Sequence, residues 1–372
     1  MKILQLVTSR KYRGAEISAA QLSAKLVENG HELYFYGLFP SGEEIPLSVQ
    51  GAENGCFNGH KEKAISLSLL KDLRKLVLRI EPEIIQANGS DTLKYAFAAT
   101  WGLKKPRLIY RNISQMSYWL GKRPILQRIY NRTFYSFSAL VSVGEKSQRD
   151  LMQLFPVHSQ KCKVIKRGID LNASVFQKGR EEVLKELNLS PNIFVLVQVG
   201  SLTPEKNISF SIELLETLVT KDPNFHLLII GSGPEEKQLK TQVKNSELET
   251  HISFLGFRKD IDKFLMASDL LLLTSLVEGI PGVVLESGGQ GSPAICVDVG
   301  GVSEVVIHDQ TGILIQGHSV QQFSNAILDL KGNAKKLNQL GKAARSFVEV
   351  EHDLDLQSRK FEKLYQSVLN ES

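Results

Sequence analysis

Two glutamates flanking a loop of glycine, isoleucine and proline are the residues of this chain best suited to chemistry. Glu278 and Glu286 are eight residues apart, and the apolar run before them, 269–274, predicts a buried parallel strand. Pro281 suits the first position of the next helix, where its missing N–H would have no partner in any case. Both carboxylates are then expected at the carboxyl end of a strand, where open α/β sheets bind ligands. Carboxylates accept hydrogen bonds from hydroxyl groups and a helix start favours an anion, a combination that suits a nucleotide-sugar.

A lysine and a glycine occupy two further turns between a predicted strand and a predicted helix. Lys206 follows the apolar strand predicted at 194–199, where its ammonium group could neutralise a diphosphate as it leaves. Gly14 follows the first predicted strand, 3–7, and its missing Cβ would let the backbone approach a phosphate closely. The simpler interpretations are a solvated lysine at a helix start and an ordinary turn glycine. We favour the functional interpretation of both residues.

Strands and helices alternate along the chain, which predicts an α/β protein with parallel sheets. Beyond those above, strands are predicted at 31–37, 83–87, 107–110, 139–143, 163–166, 226–230, 252–254 and 293–298. Helices are predicted to end near 29, to begin near 283, and to span 65–80, 91–102, 120–136, 146–154, 208–221, 235–244 and 262–267. Two such sets predict two doubly wound domains, 1–170 and 171–352. The amphipathic segment 353–372 is expected to form a helix that packs across both.

Composition places the chain among ordinary globular proteins. Its 372 residues suit two domains, and 42% hydrophobic and 23% charged residues are typical of soluble proteins. There is no run of 18 apolar residues, so no membrane span is expected, and the first residues do not resemble a signal peptide. The three cysteines are scattered, which fits a reducing cytoplasm rather than a disulfide framework or a zinc site.

The net charge of +5 conceals an asymmetry between the two halves. Through Asp170 there are 26 Lys and Arg against 14 Asp and Glu, whereas the remainder has 19 against 26. The first half is therefore +12 and the second −7. This indicates that the first half meets an anionic surface or substrate, or that its basic residues only solvate helix faces.

Two motifs that suggest other cofactors are better explained as local structure. Gly231 and Gly233 follow a predicted strand, but Glu236 replaces the third glycine of a dinucleotide fingerprint, so a tight turn is expected. Asp260 and Asp262 precede a helix and are interpreted as a cap with favourable charge rather than as metal ligands. We expect no metal and no cofactor.

The chain resembles the retaining glycosyltransferases of family 4, and eight segments carry this resemblance in the family's order. They are 13–16, 27–33, 164–170, 199–207, 229–234, 254–257, 278–286 and 300–304. The resemblance implies a GT-B fold, in which two Rossmann-like, doubly wound domains face a central cleft. It also implies catalysis without a bound metal, because lysine, arginine and helix termini neutralise the leaving diphosphate.

The resemblance also implies roles for individual residues. Glu286 would accept hydrogen bonds from the donor's ribose and Glu278 from the transferred sugar, while Lys206 would neutralise the diphosphate and the Gly14 loop would cover it. Further donor-binding positions would be Ser201, Gly231, Phe257, Gly282 and Val283.

The sequence departs from the family pattern at three places. Ser201 stands where relatives usually carry an arginine, and Arg111 and Arg13 are candidate substitutes. No histidine occurs in 110–114, so Arg111 or Asn112 is expected against the transferred sugar. Polar residues also replace histidines often found in relatives near the end of an earlier strand, where Gln86 and Asn88 are expected to face the cleft.

The sequence therefore predicts a retaining, metal-independent glycosyltransferase that moves a hexose-type sugar from a nucleotide-sugar to a glycan or lipid-linked acceptor. The expected setting is surface polysaccharide or glycolipid assembly in the cytoplasm, with peripheral contact at the inner face of the membrane. The basic and aromatic segment 111–137 is the candidate for that contact, and ordinary solvated helix faces are the alternative. Nucleic acid is not expected as a partner. Two other functions stay open: a non-catalytic protein that binds sugar nucleotides, and a sugar-nucleotide epimerase.

Overall fold

Two parallel sheets, one in each of two compact units, organise the chain. The computed structural model describes residues 1–42, 45–59, 66–171 and 179–371. One unit comprises Met1–Asp170 and His352–Ser372, and the other comprises Leu171–Glu351. The first unit is thus assembled from two separate parts of the sequence.

The first unit has a seven-stranded parallel sheet in the order β3-β2-β1-β4-β5-β6-β7. Its strands are β1 (Lys2–Ser9), β2 (Glu32–Phe39), β3 (Glu53–Cys56), β4 (Ile84–Asn88), β5 (Arg107–Asn112), β6 (Phe137–Ser142) and β7 (Cys162–Val164). Its helices are α1 (Gly14–Glu28), α2 (Leu67–Ile80), α3 (Ser90–Ala99), α4 (Ser117–Leu120), α5 (Pro124–Phe134), α6 (Glu145–Leu154), a 3₁₀ helix (Pro156–Lys161) and α14 (Leu354–Asn370).

The second unit has a six-stranded parallel sheet in the order β10-β9-β8-β11-β12-β13. Its strands are β8 (Phe194–Val199), β9 (Phe225–Ile230), β10 (Ile252–Phe254), β11 (Leu270–Leu273), β12 (Ala294–Val297) and β13 (Gly312–Ile315). Its helices are α7 (Gly179–Glu186), α8 (Ile208–Lys221), α9 (Glu236–Asn245), α10 (Ile261–Ala267), α11 (Gly282–Gly289), α12 (Val320–Gly332) and α13 (Ala334–Glu351), with 3₁₀ helices at Pro204–Lys206 and Val302–Glu304.

Both strand orders reverse beside the first strand of the unit. In the first unit β1 pairs with both β2 and β4, and in the second β8 pairs with both β9 and β11. This reversal creates the topological switch point of a Rossmann-like sheet, outside which ligands bind at the carboxyl ends of the strands. The predicted α/β fold with two Rossmann-like domains is confirmed.

The first sheet is covered on both faces because its strands have apolar residues at successive positions. Ile3, Ile84 and Ile109 belong to the core formed with α1 and α14. Leu4 and Ile85, one position further along, belong to the opposite core with α2 and α3. Neighbouring residues of a strand point to opposite faces, so a continuous apolar run fills two cores.

Some predicted elements differ from the structure. The helix predicted at 120–136 is divided into α4 and α5, since Gly121 and Pro124 interrupt it. Strands β3 and β13 and helices α7, α12 and α13 were not predicted. Helix α14 belongs to the first unit, and its packing across both domains stays a prediction, as do the domain bounds themselves. Residues 172–178, near the start of the predicted second domain, lie outside the described residues.

Among the described residues, none of the helices has the length and apolar character needed to cross a bilayer.

Candidate functional site

Lys206 and Glu278 are joined by a short ion pair in the second unit. Lys206 ends the 3₁₀ helix after β8, and Glu278 lies in the loop after β11, the neighbouring strand at the switch point. The Lys206 Nζ donates to Glu278 Oε1 over 2.6 Å, and only 9% of the Glu278 side chain is exposed. The structure therefore brings together the lysine and one of the two glutamates that the sequence singled out.

Buried hydroxyl and amide groups hold the two loops beneath this pair. Gln198, near the end of β8, donates from Nε2 to Thr274 Oγ1 over 2.9 Å. Thr274 donates to the carbonyl of Asn207 over 3.2 Å, and the amide of Leu276 donates to the carbonyl of Glu205 over 2.8 Å. These bonds connect the backbone beside Lys206 to the strand end before Glu278, so the ion pair is built on a rigid base.

Glycines allow the backbone segments around the site to meet directly. A Cβ on Gly231, whose φ is +141°, would collide with the carbonyl oxygen of Gly200. A Cβ on Gly300, whose φ is +55°, would collide with the carbonyl oxygen of Glu278. Glycine is required at both positions because the backbone conformation and the lack of space each exclude a side chain. The segment 231–235 connects β9 to α9, with a turn at 234–235.

Helix α11 presents its N-terminus directly after the Glu278 loop. Pro281 is its N-cap residue, with φ −72° and ψ 108°, and not its first helical residue as predicted. Gly282 and Val283 begin the helix, so their amides are among those that have no intrahelical partner. Glu286, partly exposed, follows on the second turn.

The two remaining residues of the second unit that are expected to bind the nucleotide-sugar lie on exposed loops. The hydroxyl of Ser201, exposed after β8, is 3.4 Å from the hydroxyl of Thr203. Phe257, an exposed aromatic residue, follows Gly256, whose φ is +64°. Their roles stay predictions.

In the first unit, Gly14 is the first residue of α1 and packs near an arginine. A Cβ at this position would lie 3.3 Å from Arg167 Nη1. Arg13, the N-cap residue, is exposed and makes no capping bond with its side chain. The backbone of Gly14 is thus close to one guanidinium group, which is not the arginine that the sequence suggested.

Arg111 is buried on the α1 and α14 face of the first sheet. Its Nη2 donates to Ser18 Oγ over 2.8 Å, and the guanidinium stacks 5.6 Å from the centre of the Phe361 ring. Nε and Nη1 are buried and have no hydrogen-bond partner among the described residues. Burial, and then the charge of Arg167, lower the pKa of Arg111 to about 10.

Asn112 points to the other face of the same strand, as the alternation of strand side chains requires. Its Nδ2 donates to Ser142 Oγ and to the carbonyl of Ser147, each over 3.3 Å, and the residue is fully buried. The side chains of Arg111 and Asn112 therefore lie on opposite faces of the first sheet, so they do not point toward a common ligand on one face. Their predicted roles against the sugar remain predictions.

Gln86 and Asn88 belong to a closed ring of hydrogen bonds, and the expectation that they face a cleft is wrong. Tyr365 on α14 donates to Gln86 Oε1 over 2.6 Å, and Gln86 donates to Asn88 Oδ1 over 3.1 Å. Asn88 donates to Gln5 Oε1 over 2.9 Å, and Gln5 donates to Tyr365 Oη over 3.4 Å. All four side chains are buried. The ring fastens α14 to strands β1 and β4.

The acidic motif at Asp260 is a local ion pair. Asp260 accepts from the guanidinium of Arg258 through both oxygens, over 2.8 and 2.6 Å. The prediction that its side chain caps α10 is wrong, since that side chain makes no capping hydrogen bond. Among the described residues, no cluster of three or more His, Cys, Asp and Glu side chains is placed to hold a metal ion.

Several residues that support the site were not found from the sequence. Gln198 lies in β8 and Thr274 directly follows β11, both within segments that the sequence indicated only as apolar strands. Tyr365 lies in α14, far away in the chain. A single polar residue inside an apolar strand, such as Gln5 or Gln198, is the signal that could have indicated these networks, because burying it requires a partner.

Two family descriptions match successive parts of the chain. Residues 179–347 match Glycosyl transferases group 1, and residues 12–173 match Glycosyltransferase Family 4. The UDP-Gal:alpha-D-GlcNAc-diphosphoundecaprenol alpha-1,3-galactosyltransferase of Escherichia coli is 27% identical over 299 residues, 76% of each chain. The amylovoran biosynthesis glycosyltransferase AmsK of Erwinia amylovora is 28% identical over 256 residues, 66% of this chain and 61% of that one.

A solved structure resembles the whole chain. Anabaena Alr3699/HepE in complex with UDP-glucose superposes with a TM-score of 0.83 at 22% identity, covering 99% of this chain and 100% of that one. Its likeness shows the fold, and the family matches agree with the resemblance drawn from the motifs. The chain therefore belongs to the family 4 glycosyltransferases and has their GT-B fold.

Proposed function

We propose that this glycosyltransferase moves a hexose-type sugar from a nucleotide-sugar to a glycan or lipid-linked acceptor, with retention of configuration and without a bound metal. The observation that carries the proposal is the Lys206–Glu278 pair at the switch point of the second unit. The second unit would hold the donor and the first unit the acceptor. Surface polysaccharide or glycolipid assembly is the proposed context, because one relative is named for a diphosphoundecaprenol-linked acceptor and another for amylovoran biosynthesis.

The ion pair still has hydrogen-bonding groups for a nucleotide-sugar. An ammonium has three protons, and Lys206 donates one of them to Glu278. Glu278 accepts this bond through Oε1, and its other oxygen, which has no side-chain partner among the described residues, could accept from a sugar hydroxyl. Lys206 would place its positive charge beside the diphosphate, while the amides of Gly282 and Val283 would add donors at the start of α11. Glu286 would accept from the ribose.

The transfer step would occur on one face of the sugar. The bond from the anomeric carbon to the diphosphate oxygen breaks, and a bond from that carbon to the acceptor oxygen forms on the same face. The acceptor hydroxyl gives its proton to the leaving phosphate oxygen. The chain's contribution would be to position the two substrates and to stabilise the charge on the diphosphate, through Lys206 above all.

Release of nucleoside diphosphate from a panel of UDP-, GDP- and ADP-sugars tests the proposal. Release that depends on an added glycan or lipid-linked acceptor is the expected result. Binding without release for every acceptor would indicate a non-catalytic protein instead. Conversion of the donor's sugar with no acceptor present would indicate an epimerase.

Two further measurements test the finer parts of the proposal. Nuclear magnetic resonance of the product should show the same anomeric configuration as the donor, and an inverted product would contradict retention. A chelator such as EDTA should leave the transfer rate unchanged. A rate that collapses and returns with added Mg²⁺ or Mn²⁺ would contradict independence from metal.

We also propose that the protein works in the cytoplasm, in peripheral contact with the inner face of an anionic membrane. This setting would bring it to acceptors carried on lipids. Fractionation of cells should recover it from the membrane pellet at low salt and release it at high salt, because contacts between exposed charges are screened. Recovery from the supernatant at both salt concentrations would contradict this placement.

A further inference from the structure

A long part of the first unit contains no acidic residue. From Thr92 to Gly144 there are nine Lys and Arg and no Asp or Glu. Helices α4 and α5 lie within this stretch, and α5 buries only Thr133 and Phe134. A surface helix usually alternates basic with acidic residues, so this surface has an unusual excess of positive charge.

The outward side of α5 is apolar as well as basic. Ile125 and Ile129 are four residues apart on one helix face, and they are 73% and 54% exposed. Arg128 and Arg132 share that face and are also exposed. Tyr118 on α4 is 75% exposed. Large apolar side chains are common singly on protein surfaces, but here they are grouped on one segment of 18 residues, 118–135.

The cations of this segment have no acidic partners. Lys122, Arg123, Arg128 and Arg132 are exposed, and among the described residues none of them forms an ion pair. Other exposed cations of the same unit, such as Lys75 and Arg79, do pair with acids. The α4–α5 surface is therefore free to meet an external anion.

We propose that this α4–α5 surface binds an anionic phospholipid bilayer. Aliphatic side chains gain free energy by leaving water for the boundary of the acyl chains, while lysine and arginine contact the phosphates. Nucleic acid would use the cations but would leave Ile125 and Ile129 in water. This membrane contact rests on the proposed function for its purpose, which is to reach a lipid-linked acceptor. Lipid binding by the surface can be measured without any sugar transfer.

Sedimentation with lipid vesicles tests the surface. The full chain should bind vesicles of phosphatidylcholine mixed with phosphatidylglycerol, and bind phosphatidylcholine alone much more weakly. The double variant I125S/I129S should bind at least tenfold more weakly. Each of Lys122→Gln and Arg128→Gln should weaken binding about fivefold at low salt.

The matched control is L67S/L78S on α2, in the same unit. Leu67 and Leu78 are 79% and 54% exposed, so the chemical change and the exposure resemble those at the two isoleucines. This control should bind vesicles like the unaltered chain. Equal binding by I125S/I129S and by L67S/L78S would overturn the proposal, as would binding to single-stranded RNA but not to vesicles.

Transfer to a water-soluble acceptor separates this inference from the proposed function. I125S/I129S should transfer sugar to such an acceptor at the normal rate while losing vesicle binding. Vesicle binding by a chain that transfers no sugar to any acceptor would support the membrane-binding surface and would contradict only the proposed sugar transfer.

Discussion

At the scale of single residues, the Lys206–Glu278 pair makes each partner depend on the other. Glu278 is largely buried, so removing Lys206 leaves a carboxylate with neither full hydration nor a cation. Lys206→Ala should reduce turnover if Lys206 neutralises the leaving diphosphate. The structure predicts a cost to stability as well, so the two effects must be separated.

We predict that Lys206→Met lowers the free energy of unfolding by about 1–3 kcal/mol, since the pair is only partly exposed to solvent. The double variant K206M/E278Q should recover part of that loss, because glutamine is neutral. Both variants should lose transfer at least about 100-fold, as expected when charge stabilisation at the leaving group is removed. Urea unfolding and nucleoside diphosphate release measure the two effects. Normal transfer by either variant would refute the role of Lys206.

Arg111 offers a different test, because its guanidinium is buried and two of its nitrogens have no hydrogen-bond partner among the described residues. We predict that Arg111→Met, of similar length and uncharged, leaves the melting temperature unchanged or higher, since a desolvated charge is removed. Transfer should nevertheless fall at least tenfold if this residue positions a substrate. A melting temperature lower by many degrees with normal specific transfer would show that Arg111 only supports the fold.

At the scale of secondary structure elements, the ring formed by Gln5, Tyr365, Gln86 and Asn88 links α14 to two strands. We predict that Tyr365→Phe lowers the free energy of unfolding by about 1–3 kcal/mol, because Gln86 Oε1 is left buried without a donor. The control Tyr135→Phe removes an exposed hydroxyl and should have little effect. Equal stability of the two variants would mean that the ring does not fasten the helix.

The sequence predicted most elements that have long apolar runs or strong periodicity. Strands β8 and β10 agree with the structure residue for residue, because alternation with helices and buried apolar residues indicate them clearly. Strand β3, with the sequence Glu-Asn-Gly-Cys, has no such pattern and lies at the edge of the sheet as far as the structure describes it, where it pairs with β2. Its strand conformation comes from that pairing and not from local preference.

The candidate site was predictable where the chemistry of a residue and its position after a strand together indicate a role. A lysine and a glutamate after neighbouring strands could be assigned to one site, because parallel strands end at a common edge. The bond between them could not be predicted, since side-chain pairing depends on the register of β8 and β11. Gln86 was misjudged because its partner Tyr365 is 279 residues away, and distant partners leave no local pattern.

At the scale of the whole molecule, a buried histidine should make stability depend on pH. Burial, and then the charge of His251, lower the pKa of His226 to about 4 from an ordinary value of 6.5. Between these values the unfolded chain binds a proton that the folded chain does not. Keeping His226 neutral therefore makes its full contribution to the free energy of unfolding above pH 6.5. That contribution is lost as the pH falls toward 4, and the loss is about 3 kcal/mol at most.

We predict that His226→Gln reduces the slope of unfolding free energy against pH in this window. A residual slope should remain, since burial also lowers the pKa of His158. The control His308→Gln makes the same chemical change at an exposed position. Urea unfolding at a series of pH values measures this, and identical slopes for all three proteins would contradict the prediction.

The division of the first unit into two stretches of sequence has a consequence for synthesis on the ribosome. When residue 170 has emerged, one face of the first sheet still lacks α14, and side chains such as Ile3, Ile84 and Ile109 remain partly uncovered. The second unit, continuous in sequence, is complete before residues 352–372 appear. The nascent chain must therefore keep an unfinished apolar face in water during about 180 further additions. This interval is when the growing polypeptide would most need a chaperone.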